Sequence, residues 1–215
     1  MKKKIERIHF ITHAETADAY ITQIKEICEA DIGLLQLRIK NLEEEKVKEI
    51  AIEAKKICTE NNVCLIINDY VDIAFNVEAD GVHLGKHDMS PDKARLLLGK
   101  NAIIGCTANS FKDIIRLVQY DIDYIGLGPF AYTSTKEALD KILGIETFSE
   151  ILQNCKEQRI DMPIIAVGGI KESDVPEIFN AGAYGIATSS MIANAENKQE
   201  CINKLKLLSE PLIGA

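Results

Sequence analysis

A chain of 215 residues that is 47% hydrophobic can bury a sizeable core, and an α/β barrel of this length can be one domain. The net charge of −8 argues against non-specific binding to nucleic acid or to a membrane surface, although it leaves room for a local basic pocket. No apolar run approaches the length of a bilayer span.

The N-terminus opens on Lys2-Lys3-Lys4, expected to be a solvated tail, and the apolar run behind it is too short and too interrupted for a signal peptide. Strand-like runs then recur at 7–12, 33–38, 63–67, 80–84, 102–106, 123–127, 163–167 and 184–188. Helical periodicity fills the gaps near 17–30, 43–60, 91–98, 110–119, 145–157, 172–180 and 197–209. Its clearest case is 43–60, where Val47, Ile50, Ala51, Ala54 and Ile57 form one stripe. A shorter apolar-periodic segment runs from Val71 to Val77, and Ser90-Pro91 and Ser173 read as helix starts. No linker or low-complexity segment divides the chain. Eight strand–helix units predict a single-domain (β/α)₈ TIM barrel, with an open doubly wound sheet as the alternative. Gly168-Gly169 does not make a dinucleotide fingerprint.

None of the six cysteines forms a C-x-x-C pair, which argues against zinc or a thioredoxin-like motif and fits a reducing, cytoplasmic compartment. In a barrel the chemistry belongs to the C-terminal strand ends. After the second run, alternation puts Gln36, Arg38 and Lys40 on one side and Leu37 and Ile39 on the other. If the first set faces the mouth, it calls for an anion; otherwise Arg38 and Lys40 are solvated. The third run ends at Asn68-Asp69, and Asp88 follows the fourth. Both strand ends lie on one edge of a parallel sheet, so the two carboxylates would face one cleft and suit Mg²⁺. Either aspartate could instead cap the next helix.

His83, inside a strand run, reads as a hydrogen-bonded interior histidine, and His87 as a loop residue. The fifth run ends at Cys106-Thr107. Thr133, Ser134, Thr135 and Lys136 after the sixth are suited to gripping phosphate. Gly168-Gly169 after the seventh and Thr188-Ser189-Ser190 after the eighth suit an anion as well. A diphosphate with Mg²⁺ and a second phosphorylated molecule would fill both sides of such a mouth.

The stretches QLRIK (36–40), IINDYVDIAFNVEADGVHLGKHDM (66–89), GLGPFAYTSTK (126–136), IIAVGGI (164–170) and AGAYGIATSS (181–190) occur in one order along the chain. Together they resemble the thiamine-phosphate synthase (thiamine-phosphate pyrophosphorylase) family over nearly the whole length. That resemblance implies a (β/α)₈ barrel joining a hydroxymethylpyrimidine diphosphate to a hydroxyethylthiazole phosphate, with release of pyrophosphate. By position it assigns Gln36, Arg38, Lys40, Asn68, Thr107 and Lys136 to the pyrimidine diphosphate, and Asp69 and Asp88 to Mg²⁺. It assigns Thr133, Thr135, Gly169, Ser189 and Ser190 to the thiazole phosphate. It further implies a dissociative reaction in which Arg38, Lys40 and Lys136 stabilise the leaving group. The molecules bound would be these small substrates, with homo-oligomerisation left open.

The chain departs from the family pattern at Ile39, where glutamate is usual, and at Thr107-Ala108-Asn109, where Ser-x-His is frequent. Two other readings compete. One is a related thiazole tautomerase, whose relatives carry a histidine at the position of Pro129 and tend to lose the paired aspartates. The other is a non-catalytic sensor of phosphorylated ligands on the same scaffold.

Overall fold

The computed structural model describes residues 4–132 and 141–210; Lys2 and Lys3 of the basic tail, and Thr133, Ser134, Thr135 and Lys136, lie outside them. Eight parallel strands close in sequence order into a barrel. Their ranges are β1 Ile8–Ile11, β2 Leu34–Leu37, β3 Cys64–Asn68, β4 Gly81–Leu84, β5 Ile103–Ala108, β6 Tyr124–Leu127, β7 Ile164–Val167 and β8 Gly185–Thr188. Helices α1 Ala17–Glu29, α2 Glu44–Glu60, α3 Val71–Asn76, α4 Pro91–Leu98, α5 Phe111–Leu117, α6 Gly144–Glu157 and α7 Val175–Asn180 follow the first seven strands. After β8 come the short α8 Ser190–Ala193 and then α9 Lys198–Ser209. Among the described residues no helix is long and apolar enough to cross a membrane.

The closed barrel bears out the expected fold and removes the open-sheet alternative. Two local expectations need correction. β5 runs two residues beyond 106, so Thr107 lies within the strand rather than after it. Ser173 does not start the seventh helix. Lys171 caps a 3₁₀ turn over Glu172–Asp174, its N–H donating to the Asp174 carboxylate at 2.8 Å, and α7 begins at Val175.

The period-2 alternation of each strand sorts its residues between two cores. Leu35, Leu37, Leu65 and Ile67 point outward into the layer shared with the helices. There α2 presents the stripe read from its sequence, with Val47, Ile50, Ala51, Ala54 and Ile57 all buried. Leu34, Cys64, Ile66, Ile103, Tyr124, Ile165 and Ala187 fill the barrel itself. Two interior glycines make space for large rings. A Cβ on Gly105 would stand 2.1 Å from Tyr124 Cζ, and one on Gly126 would stand 3.0 Å from His83 Cε1. These side chains fill the lower barrel, and the cavity opens at the carboxyl-end mouth.

Candidate active site

At that mouth lies a cavity of about 460 Å³, within the size range of small-molecule sites. Gln36, Arg38, Lys40, Asn68, Asp69, Asp88, Thr107, Gly169, Ser189 and Ser190 all line it. These are all the described members of the set singled out from the sequence. The cationic and carboxylate residues come from β2 to β5, and the glycine and serines from β7 and β8 across the barrel.

The second strand behaves as its alternation predicts. Gln36 is buried in the interior, where its Nε2 donates to Asn68 Oδ1 at 2.7 Å, while Ile39 is buried on the helix side. Arg38 and Lys40 reach the cavity, and Lys40 forms an ion pair with Asp69. Beneath Arg38 sits Thr12, fully buried at the end of β1. Its Oγ1 accepts from the Arg38 N–H at 2.9 Å and donates to the Arg38 carbonyl at 3.1 Å. The hydroxyl thus satisfies both backbone groups of Arg38 just where β2 ends. We expect Thr12→Val, which keeps the shape, to cost about 2 kcal/mol because it strands a buried donor and acceptor together. Urea denaturation measures the loss, and an unchanged midpoint would show the clamp to be idle.

Neither aspartate caps a helix. Asp69 sits at φ +66° in the left-handed region, and the N-cap of α3 is Tyr70. Asp88 accepts from the Gly85 N–H at 2.6 Å, closing its own turn, and the N-cap of α4 is Ser90. The helix-cap alternative is thereby removed for both. Burial and the adjoining Asp69 carboxyl hold Asp88 above the usual carboxylate range, against the pull of the Gly85 N–H and of Lys40. Two carboxyl groups close enough to perturb each other form a site that a cation relieves. Among the described residues no group of three or more His, Cys, Asp or Glu comes together as a metal-holding cluster, which leaves the two carboxylates as the candidate protein donors. Two carboxylates with room for further oxygen ligands fit Mg²⁺.

Further side-chain bonds bind neighbouring strand ends into an arc. His83 on β4 bonds Thr107 on β5 through Nε2 at 2.9 Å. Lys86, after β4, pairs with Asp113 at 2.9 Å. Burial alone would raise the Asp113 carboxyl, but Lys86, the Asn109 N–H and the Ser110 hydroxyl together hold it below its ordinary value. The Asn109 side-chain amide donates to the Gly128 carbonyl after β6. With the Thr12, Gln36–Asn68, Lys40–Asp69 and Asp69–Asp88 contacts, every neighbouring pair from β1 to β6 is tied. On the opposite side the described ties from β6 to β7 are backbone bonds, Phe130 N–H to Val167 O and Ala131 N–H to Gly168 O, each 2.9 Å. Gly168 and Gly169 there take φ of +95° and +66°, and a Cβ on Gly169 would stand 2.4 Å from the Tyr132 carbonyl oxygen.

His83 is an interior hydrogen-bonded histidine, as its strand position suggested, and exposed His87 lies on the cavity rim. Sequence reasoning missed Thr12, Asn109, Tyr124 and the Lys86–Asp113 pair. The rule applied to the other strand ends, extended to the first, would have found Thr12. Asn109 entered only as a departure from a family pattern, with no sign of the carbonyl it holds.

Comparison with known proteins agrees with this geometry. Residues 8–192 match the family model described as thiamine monophosphate synthase. A thiamine-phosphate synthase of Bacteroides thetaiotaomicron is 41% identical over 190 residues, covering 88% of this chain and 91% of the relative. One from Flavobacterium psychrophilum is 38% identical, covering 93% and 97%. Among solved structures, a thiamine phosphate pyrophosphorylase from Pyrococcus furiosus superposes with a TM-score of 0.80 at 26% identity, over 97% of each chain. A 3-hexulose-6-phosphate synthase, at 14% identity and TM-score 0.69, shares the fold alone.

Proposed function

The chain belongs to the thiamine monophosphate synthase family, a family of transferases in thiamine biosynthesis, and from that premise we propose its substrates and the way it joins them. The substrates are hydroxymethylpyrimidine diphosphate and hydroxyethylthiazole phosphate. The C–O bond between the pyrimidine methylene and the diphosphate breaks, the thiazole nitrogen supplies the electron pair for a new C–N bond, and pyrophosphate leaves. The observation that carries this reading is the division of one cavity. Gln36, Arg38, Lys40, Asn68, Asp69, Asp88 and Thr107 gather on one side, and Gly169, Ser189 and Ser190 on the other.

Arg38 and Lys40 place fixed positive charge where the diphosphate accumulates negative charge as the C–O bond lengthens, so the reaction needs no protein nucleophile. Buried Gln36 and Asn68 hold each other in place, and their remaining polar atoms orient the pyrimidine end. Asp69 and Asp88 hold Mg²⁺, which supplies further positive charge against the departing group. The thiazole phosphate is held by Gly169, Ser189 and Ser190 together with Thr133 and Thr135, while Lys136 meets the diphosphate; the last three rest on the family resemblance. A cytoplasmic location goes with this reading and is supported by the six free cysteines.

Incubation with both substrates and Mg²⁺ should yield thiamine phosphate and pyrophosphate in equal amounts, and neither when one substrate is withheld. No product from the complete mixture would overturn the proposal. Pro129, buried after β6, offers no group for proton transfer where thiazole tautomerases carry a histidine. The protein should therefore leave a thiazole carboxylate phosphate unisomerised when the pyrimidine diphosphate is absent. Nuclear magnetic resonance of the thiazole protons reads this directly, and rapid isomerisation would move the assignment to the tautomerases.

A further inference from the structure

Beneath the diphosphate side of the cavity lies a polar relay that the reaction as described leaves unused. Tyr124, on β6, is buried with its hydroxyl 3.0 Å from His83 Nδ1. The other ring nitrogen, His83 Nε2, lies 2.9 Å from Thr107 Oγ1. All three residues border the cavity, Thr107 half-buried at its wall and Tyr124 almost wholly buried at its floor.

The direction of this chain follows from counting protons. Burial pushes the Tyr124 hydroxyl well above its usual pKa, so it keeps its proton. Among the described residues its hydrogen-bond partner is His83 Nδ1. His9, whose ring stands edge-on at 5.3 Å, has its Nε2 engaged by the Glu6 carbonyl. The buried phenol must therefore donate to Nδ1, since otherwise its proton has no acceptor. Nδ1 is then an acceptor and Nε2 carries the ring proton, which goes to Thr107 Oγ1. Doubly protonated His83 would point an N–H at the phenol oxygen and strand the phenol proton just as the reversed chain does. Thr107 thus accepts from the protein and has its own hydroxyl proton left. Among the described residues no side chain or carbonyl takes that proton, so it is available to the contents of the cavity.

We propose that Tyr124 and His83 are positioning residues that commit the Thr107 hydroxyl to donate to a diphosphate oxygen of the substrate. The inference rests on the substrate reading above for the identity of the acceptor. It goes beyond that reading in assigning the polarity of Thr107 and the two buried residues that impose it. A threonine hydroxyl left to itself rotates between donor and acceptor roles. Held from beneath, it discriminates in favour of an oxyanion without adding charge. The interior glycines belong to the same arrangement, for Gly105 and Gly126 supply the room in which both rings stand.

The test has two independent arms. Nitrogen–proton correlation spectra of the ligand-free protein report the tautomer of each of the four histidines, with the His83 signals assigned by their loss in His83→Gln. The expected result is a neutral ring protonated at Nε2, turning into a tautomer mixture in Tyr124→Phe, which removes one buried oxygen from a ring that otherwise stays in place. A ring protonated at Nδ1, or at both nitrogens, overturns the relay.

The second arm is calorimetric binding of inorganic pyrophosphate with Mg²⁺, which requires no turnover. Thr107→Val and Tyr124→Phe should each weaken binding roughly tenfold, the scale of one hydrogen bond to a charged group, while Thr107→Ser restores it. A merely structural role for Tyr124 would lower its melting temperature and leave pyrophosphate affinity unchanged, and that outcome overturns the proposal. Failure to form thiamine phosphate would count against the substrate reading alone, because tautomer and pyrophosphate affinity are measured without it.

Discussion

Asp69→Asn and Asp88→Asn should each lower turnover by about 10²-fold or more, the scale seen when one preorganised electrostatic group is lost from a site of charge separation. Folding should survive both changes. Asparagine tolerates the left-handed backbone that Asp69 adopts, and an amide oxygen at 88 can still accept from the Gly85 N–H. What each change removes is a negative charge facing the cavity. On the proposed reading the two groups act on one ion, so the double variant should be little worse than the worse single variant. Raised Mg²⁺ should partly restore the singles.

The pH dependence has a definite sign. Burial and the neighbouring Asp69 raise the Asp88 pKa in the folded protein, so the fold favours the protonated form more than the unfolded chain does. Its contribution to stability is present at low pH and is lost as pH rises through the raised value. Mg²⁺ bound as proposed would oppose this by favouring the ionised form. The Mg²⁺ requirement should therefore climb as pH falls through a range above the ordinary carboxylate value. Turnover against Mg²⁺ concentration at several pH values, for wild type and all three variants, is the measurement. Near-wild-type curves for both singles would end the metal assignment.

Gly105→Ala should be strongly damaging to the barrel interior. The new Cβ would lie 2.1 Å from Tyr124 Cζ and 2.5 Å from its hydroxyl oxygen. The ring is packed in the interior layer with Leu34, Cys64, Ile66, Ile103, Ile165 and Ala187, which opposes its displacement. A cost on the order of 3 kcal/mol is expected, at the upper end for overpacking. The same displacement pulls Tyr124 away from His83. Combining the change with Tyr124→Leu should recover much of the stability, since it removes the atoms in conflict. Chemical denaturation of the single and double variants decides this. A single variant as stable as wild type would mean that the barrel interior yields where it looks full.

These two cases show why one kind of feature could be read from the sequence and another could not. Asp69 and Asp88 were accessible because each follows a strand run, and parallel strands bring such positions to one edge whatever their separation in the chain. Gln36, Arg38 and Lys40 were accessible through alternation within one strand. Gly105 was not, because its role depends on the register that sets a glycine on β5 against Tyr124 on β6. Nothing in the local pattern of either strand states that pairing. Thr107 was placed past its strand because hydrophobicity falls after Cys106, yet the ladder with β6 continues through Ala108. The Thr12 clamp likewise exists only between strands, joining a hydroxyl on one to the backbone of the next.

The arc of side-chain ties from β1 to β6 also bears on how this mouth can change over generations. Thr12 holds Arg38, Gln36 holds Asn68, Lys40 shares Asp69 with Asp88, and Asn109 holds Gly128. Residues that share partners do not tolerate replacement independently of one another. A substitution acceptable in a relative can fail here unless the neighbouring strand end changes with it. Changes within the arc are thus expected to come in blocks of adjacent loops, whereas the β7–β8 side, without those ties among the described residues, should accept them one position at a time.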